Sequence, residues 1–299
     1  MSVSLLRVLR ASKKSQSSTR SDVEVVSPLA MLAVYDAPTA ALCCDAGADI
    51  LLVGDSLGNV VLGFDATVAV TLDMMLHHLG AVLRGARQSG RPEVPVVADL
   101  PFGTYATQQD AARNGAALMQ AGAHGLKLEG AASSSLDAVR VLTQMGAPVV
   151  GHLGFTPQSA LVLNGVVQGK TAAGARQLLD DARRLQDAGC VAVVLEAVPS
   201  EVAQIMTQQL EITTIGIGAG AACDGQVLVW HDLVGFSAGA PFRFVKRFAQ
   251  THEILHAATR SFVQEVQKGS FPTRNNEYSM PDDERQKWLK EQEIKEPGA

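Results

Sequence analysis

Aromatic side chains make up only 5% of this chain, and cysteine occurs four times in 299 residues, at Cys43, Cys44, Cys190 and Cys223. The cysteines form no C-x-x-C pair and lack the density of a small secreted domain. A disulfide framework is therefore excluded and a reducing compartment expected. No apolar run approaches the roughly 18 residues needed to span a bilayer, so no membrane segment is expected. An excess of positive charge is missing as well: 25 Lys and Arg stand against 30 Asp and Glu, a formal net charge of −5. That leaves no basic footprint for nucleic acid or for an anionic membrane. A G-x-S-x-G elbow, an H-E-x-x-H pair and a P-loop are also absent, which removes the chemistries those motifs carry. What is present is a chain 47% hydrophobic and 18% charged, a balance suited to a large buried core.

The two ends differ from the middle. Residues 1–27 form a polar, basic N-terminal extension with Arg7, Arg10, Lys13, Lys14 and Arg20 and no acid before Asp22. The expected location is cytoplasmic. The alternative is mitochondrial, because transit peptides are also Arg- and Ser-rich and poor in acids. Residues 271–299 read as a charged C-terminal tail outside the core, with a short helix around Trp288.

Residues 28–270 contain no Pro/Ser-rich linker and are read as one domain. Short β-branched runs at 31–35, 50–54, 94–99, 125–129, 148–153, 192–197, 214–217 and 227–229 predict strands. Segments at 37–46, 72–87, 108–120, 135–144, 172–188 and 201–208 predict helices between them. Near-continuous apolar strands imply burial on both faces, and the alternation implies parallel pairing. Eight strands over about 240 residues point to a closed (β/α)8 TIM barrel, a single α/β domain with extra terminal segments; a doubly wound open sheet is the alternative.

One layout recurs. CDAGADILLVGD (44–55), MQAGAHGLKLEG (119–130) and QDAGCVAVVLEA (186–197) each end a helix with Ala-Gly and run an apolar strand into an acid. The glycine suits a left-handed helix cap. The acids are Asp55, Glu129 and Glu196; Asp99 in VPVVADLPF is a fourth, and His152 in APVVGHLGF takes the same place on its own strand.

The C-terminal strand ends of a parallel barrel open onto the face that carries active sites. One acid there is commonly a loop cap, but four converging acids repel one another unless a cation or proton offsets them. Oxygen ligands suit a hard ion, Mg²⁺ before Zn²⁺, acting as a Lewis acid. Lys127, two residues before Glu129, either holds a substrate carboxylate or serves as an internal counter-ion. Ser56 opens a loop with glycines at 54, 58 and 63 whose amides suit an anion. GIGAG at 216–220 lacks dinucleotide-loop spacing and reads as a tight strand-to-helix turn. Cys43 and Cys44 lie mid-helix and read as packing, and His77 and His78 as fillers of a helix remote from the strand ends.

Taken together, VGDSLG (53–58), ADLPFGTYAT (98–107), KLEG (127–130), GHLGFTPQS (151–159), VLEAVP (194–199) and IGIGAG…CDGQVLVWHDLVG (215–235) resemble the ketopantoate hydroxymethyltransferase family over about residues 28–270. The resemblance implies a barrel of the phosphoenolpyruvate mutase/isocitrate lyase type and a role in pantothenate biosynthesis. The implied reaction is hydroxymethyl transfer from 5,10-methylenetetrahydrofolate to 3-methyl-2-oxobutanoate, with Mg²⁺. A homo-oligomer, commonly a homodecamer, is implied too. Carried over by motif, Asp55, Asp99 and Glu129 would be metal-site carboxylates, directly or through water. Asp55, Ser56, Asp99 and Lys127 would contact the oxo acid, Glu196 would be the general base, and His152 would have a supporting role.

Three segments depart from the family pattern. LVLNGVVQGK (161–170) is shortened and ends in Lys170, LEAVP replaces the usual LECVP, and PFRFVKRF (241–248) carries local changes. Two other readings remain open: a carbon–carbon or carbon–phosphorus lyase on the same barrel, and a non-catalytic barrel that binds or assembles. The lyases place a cysteine in a Lys- and Gly-rich loop that is not visible here.

Overall fold

The structure, a computed structural model, describes residues 4–17, 27–237 and 239–292. The chain divides into two compact units, residues 1–249 and 250–299.

In the first unit the apolar runs form β1 (Leu29–Ala33), β2 (Ile50–Val53), β3 (Val96–Asp99), β4 (Gly125–Lys127), β5 (Val149–Gly154), β6 (Ala192–Glu196), β7 (Thr213–Ile217) and β8 (Gly225–Val229). Each strand pairs in parallel with its neighbour, and β1 pairs with β8, Met31 opposite Val227, so the sheet closes into a barrel. Burial runs unbroken along β2, β3, β4 and β5, because helices cover one face and the barrel interior the other.

The first unit's helices are α1 (Leu5–Ser17), α2 (Ala37–Asp45), α3 (Leu57–Val60), α4 (Leu72–Gln88), α5 (Gln108–Gln120), α6 (Ser133–Gln144), α7 (Ala172–Ala188), α8 (Ser200–Gln209) and α9 (Trp230–Leu233). Asp36, Thr71, Thr107 and Thr171 cap the starts of α2, α4, α5 and α7 with side-chain oxygens that accept backbone N–H groups. The three Ala-Gly pairs end helices as expected: Gly47, Gly122 and Gly189 have φ of 99°, 110° and 107°, a region where a Cβ is penalised.

GIGAG departs from expectation. Gly216 lies within β7, and Gly218 and Gly220, at φ 66° and 82°, turn the chain directly into β8 with no intervening helix. A seven-residue connection is too short for a helix and its two loops, so glycine's conformational freedom makes the turn alone.

Helix α1 lies at the barrel's N-terminal end. Leu5 and Leu9 are buried, and Leu5 sits where a Cβ on Gly125, the first residue of β4, would collide with it. The Leu9 carbonyl accepts the Thr213 hydroxyl at 3.0 Å, and Lys13 donates to the Thr207 carbonyl and to Asp224. Asp224 in turn accepts the Thr214 N–H at 2.8 Å, so the helix is tied to the starts of β4, β7 and β8.

The second unit contains α10 (Thr251–Gln267) and α11 (Asp282–Glu291), the latter carrying Trp288. Neither helix has a buried residue, and Phe262 meets Phe271 edge to face at 5.4 Å. Among the described residues no helix is long and apolar enough to cross a membrane.

Candidate active site

Parallel pairing brings the strand ends to one rim, and the chemically distinctive residues stand there. Asp55 follows β2, Asp99 ends β3, Lys127 ends β4, Glu129 lies two residues further on, His152 is within β5, and Glu196 ends β6. All six, with Ser56, line one cavity of about 440 Å³. Every one of them except Ser56 and Glu196 is buried.

Lys127 Nζ donates to Asp99 Oδ1 at 2.7 Å, an ion pair with both side chains nearly inaccessible. Asp99 Oδ2 accepts the Asp55 N–H at 3.0 Å. Burial works against the Lys127 ammonium, but Asp99, Asp55 and Glu129 outweigh it and keep the lysine charged. Asp55 has weaker compensation. Burial, with Asp99 and Glu129 repelling it, lifts its carboxyl to about 7.

His152 stands between two acids, with Nδ1 3.3 Å from Glu129 Oε1 and Nε2 3.3 Å from Glu196 Oε2. Neither contact is aligned as a hydrogen bond, so the attraction is one of charge. Burial alone would push the imidazole down; the two carboxylates reverse this and hold it up at about 9. Glu129 must likewise overcome burial, and His152, Lys127 and the Gln158 N–H together bring its carboxyl below the usual value. Ser56 shares a 2.7 Å hydrogen bond with Tyr35, whose buried hydroxyl is pushed well above its ordinary range by desolvation.

Two loops fix Glu196. Its carbonyl accepts the Phe155 N–H at 2.8 Å. Gly154, at φ 91°, approaches so closely that a Cβ there would overlap the same carbonyl oxygen. Ala197, immediately after Glu196, is the one non-glycine among the described residues at positive φ, 50°. Such strain of roughly 1–3 kcal/mol persists where surrounding contacts over-determine the backbone. Here the Ala197 N–H donates to the Ile217 carbonyl and its carbonyl accepts the Gln168 N–H.

The site also includes residues to which the motifs gave no role. Gln158, on a one-turn 3-10 helix after β5, donates from Nε2 to Asp55 Oδ2 at 2.8 Å and accepts from the Tyr105 hydroxyl at 2.6 Å. Both residues lie inside recognised motifs; the only signal available beforehand was a polar side chain just beyond a strand end.

Among the described residues no three His, Cys, Asp or Glu side chains close on one point as a complete metal shell. The three carboxylates expected at the metal therefore share a cavity without forming a preassembled set, because Asp99 is turned to Lys127 and Asp55 to Gln158. The donor chemistry still suits a hard dication that keeps several waters. The oxygens are carboxylates, and Glu129 Oε1 is buried without a hydrogen bond.

A closed parallel barrel with acids, a lysine and a histidine converging at its C-terminal rim defines a catalytic barrel architecture. Among solved structures, the fold is similar to 2,3-dimethylmalate lyase, a PEP mutase/isocitrate lyase superfamily member. The TM-score is 0.56 at 16% identity, over 97% of this chain and 99% of that one. It is also similar to the phosphoenolpyruvate phosphomutase of Streptomyces platensis subsp. rosaceus, with a TM-score of 0.57 at 14% identity over 96% and 98% of the two chains. At these identities the likeness is one of fold.

Residues 14–274 match the family described as ketopantoate hydroxymethyltransferase. The chain is 52% identical over 268 residues to 3-methyl-2-oxobutanoate hydroxymethyltransferase of Gluconacetobacter diazotrophicus, covering 88% of this chain and 95% of that one. To the enzyme of the same name from Oleidesulfovibrio alaskensis it is 48% identical over 263 residues, 87% and 89% of the two chains. The chain belongs to the ketopantoate hydroxymethyltransferase family.

Proposed function

We propose that this protein transfers a hydroxymethyl group from 5,10-methylenetetrahydrofolate to 3-methyl-2-oxobutanoate, giving 2-dehydropantoate and tetrahydrofolate, in pantothenate biosynthesis. The observation that carries the reading is the His152 bridge. It sets Glu196, the most exposed of the strand-end carboxylates, beside a buried cluster of acids in a single cavity.

Asp55, Asp99 and Glu129 would hold Mg²⁺, directly or through water. The ion, when bound, supplies Lewis-acid polarisation of the 2-oxo acid. Ser56 and Lys127, which line the cavity, would receive the substrate's carboxylate, the lysine as a buried charge. Glu196, whose side chain keeps 16% of its surface, removes the C3 proton, and the carbon freed of that proton bonds to the one-carbon unit of the folate. Water supplies the hydroxyl oxygen, and the carbon–nitrogen bonds of that unit break to release tetrahydrofolate. The protonated His152 keeps Glu196 turned towards the cavity. The exposed apolar pair Leu161 and Val162, in the shortened 161–170 segment, belongs to the donor side in this reading. A homo-oligomer, and a homodecamer in particular, is part of the same proposal; light scattering measures it.

Proton exchange tests the chemistry. With Mg²⁺ in deuterated water and no folate, 3-methyl-2-oxobutanoate should lose its C3 proton signal. Absence of both exchange and folate-dependent product would defeat the proposal and favour a binding barrel.

A further inference from the structure

Gln158 is buried, and every polar atom of its side chain is used. Oε1 accepts from the Tyr105 hydroxyl at 2.6 Å, and Nε2 donates to Asp55 Oδ2 at 2.8 Å and to the Leu100 carbonyl at 3.0 Å. Its backbone N–H donates to Glu129 Oε2 at 3.0 Å. The orientation of the amide follows from its partners. Turned over, Nε2 would lose both of its acceptors, and Oε1 would face the Leu100 carbonyl oxygen with no proton between them. The Tyr105 hydroxyl also lies 3.4 Å from the Glu129 N–H, so amide and phenol together span the strand-end acids of β2 and β4.

Two carboxylates from different strands are thus fastened to one neutral residue. Each gives one oxygen to Gln158, and the other oxygen of Glu129 has no hydrogen bond. A neutral donor is the suitable group here. A lysine would neutralise the acids and compete with a cation, whereas an amide fixes their rotamers and leaves their charge intact.

We propose that Gln158 is a positioning residue that orients Asp55 and Glu129 and so sets the affinity of the site for its divalent ion, with Tyr105 locking the amide in place. The inference rests on the Mg²⁺ reading above. Gln158 acts through the two acids and does not touch the reacting atoms.

Gln158→Met keeps the side-chain volume and the backbone N–H to Glu129 but deletes the amide. Titration of the full-length protein with Mg²⁺ alone, by calorimetry, should show affinity weakened at least tenfold. The Mg²⁺ midpoint for turnover should move by the same factor, with kcat largely restored at saturating Mg²⁺. Tyr105→Phe, which frees the amide without removing it, should shift the midpoint in the same direction by a smaller factor, and it serves if the methionine variant fails to fold. A purely structural amide would lower the melting temperature and leave the Mg²⁺ midpoint in place. Wild-type affinity in folded Gln158→Met, or in Tyr105→Phe when that is the folded variant, overturns the inference while leaving the proposed function standing. A raised KM for the oxo acid at an unchanged Mg²⁺ midpoint overturns it too. If the unmodified protein takes up no Mg²⁺, the metal reading itself fails and the inference goes with it.

Discussion

At the scale of single residues, the charged members of the site were legible because position and chemistry coincide: an acid that closes a buried strand has few places to point. Asp55, Asp99, Glu129 and Glu196 follow that pattern, and the structure places all four around one cavity. Gln158 and Tyr105 were not legible as site residues. A neutral side chain acquires its meaning only from the carboxylates that folding brings to it, and Asp55 is 103 positions away from Gln158. His152 also gained weight, since its contact with two acids at once depends on β5 lying between β4 and β6. The role assigned to Glu196 is testable at this scale. Glu196→Gln keeps the shape and removes the base, so kcat should fall by about 10²–10⁴, the usual contribution of a positioned acid–base group. Binding of 3-methyl-2-oxobutanoate, followed by calorimetry with Mg²⁺ present, should persist. Turnover near the wild-type rate would remove Glu196 from its role.

At the scale of elements, each strand and long crossover helix read from the barrel's sequence overlaps an observed one, because both periodicities are strong there. Helix α1 was obscured by its own composition. The basic residues and missing acids dominate that stretch, while its apolar contribution to the barrel is made by Leu5 and Leu9 alone among its leucines. Leu9→Ala removes a buried side chain far from the rim and should cost about 2–5 kcal/mol, seen as a lower melting temperature. The kcat of the folded fraction should stay within about twofold, the small change expected of a site distant from the mutation. Unchanged melting would mean that α1 contributes nothing to the floor. At the other end, Gly154→Ala places a Cβ against the Glu196 carbonyl oxygen at a φ of 91°. Relief of that clash has to shift the end of β6, so turnover should drop more than tenfold even where the protein still folds. A variant with full activity would show that the β5–β6 rim tolerates displacement.

At the scale of the whole molecule, the barrel concentrates charge that the sequence as a whole hides. A net charge of −5 spread over 299 residues is unremarkable. At the strand ends within the cavity, however, four of its six carboxylates, Asp55, Asp99, Glu129 and Glu196, face one lysine and one histidine. Even with His152 protonated beside its two acid neighbours, two negative charges of this set remain uncompensated. The lifted Asp55 carboxyl is the local sign of that excess: a proton held there offsets one of the two charges. A dication would balance both, whereas a monovalent ion would leave one of them. Stabilisation by a ligand that binds only the folded state grows with concentration, reaching about 2.7 kcal/mol at one hundred times Kd. Saturating Mg²⁺ should therefore raise the melting temperature of chelator-treated protein by several degrees, and Na⁺ at matched ionic strength should not. Calorimetric melts of the two samples decide the matter. Coincident melts would mean that the excess charge is met by protons alone, and the carboxylate cluster would then have no claim to a metal.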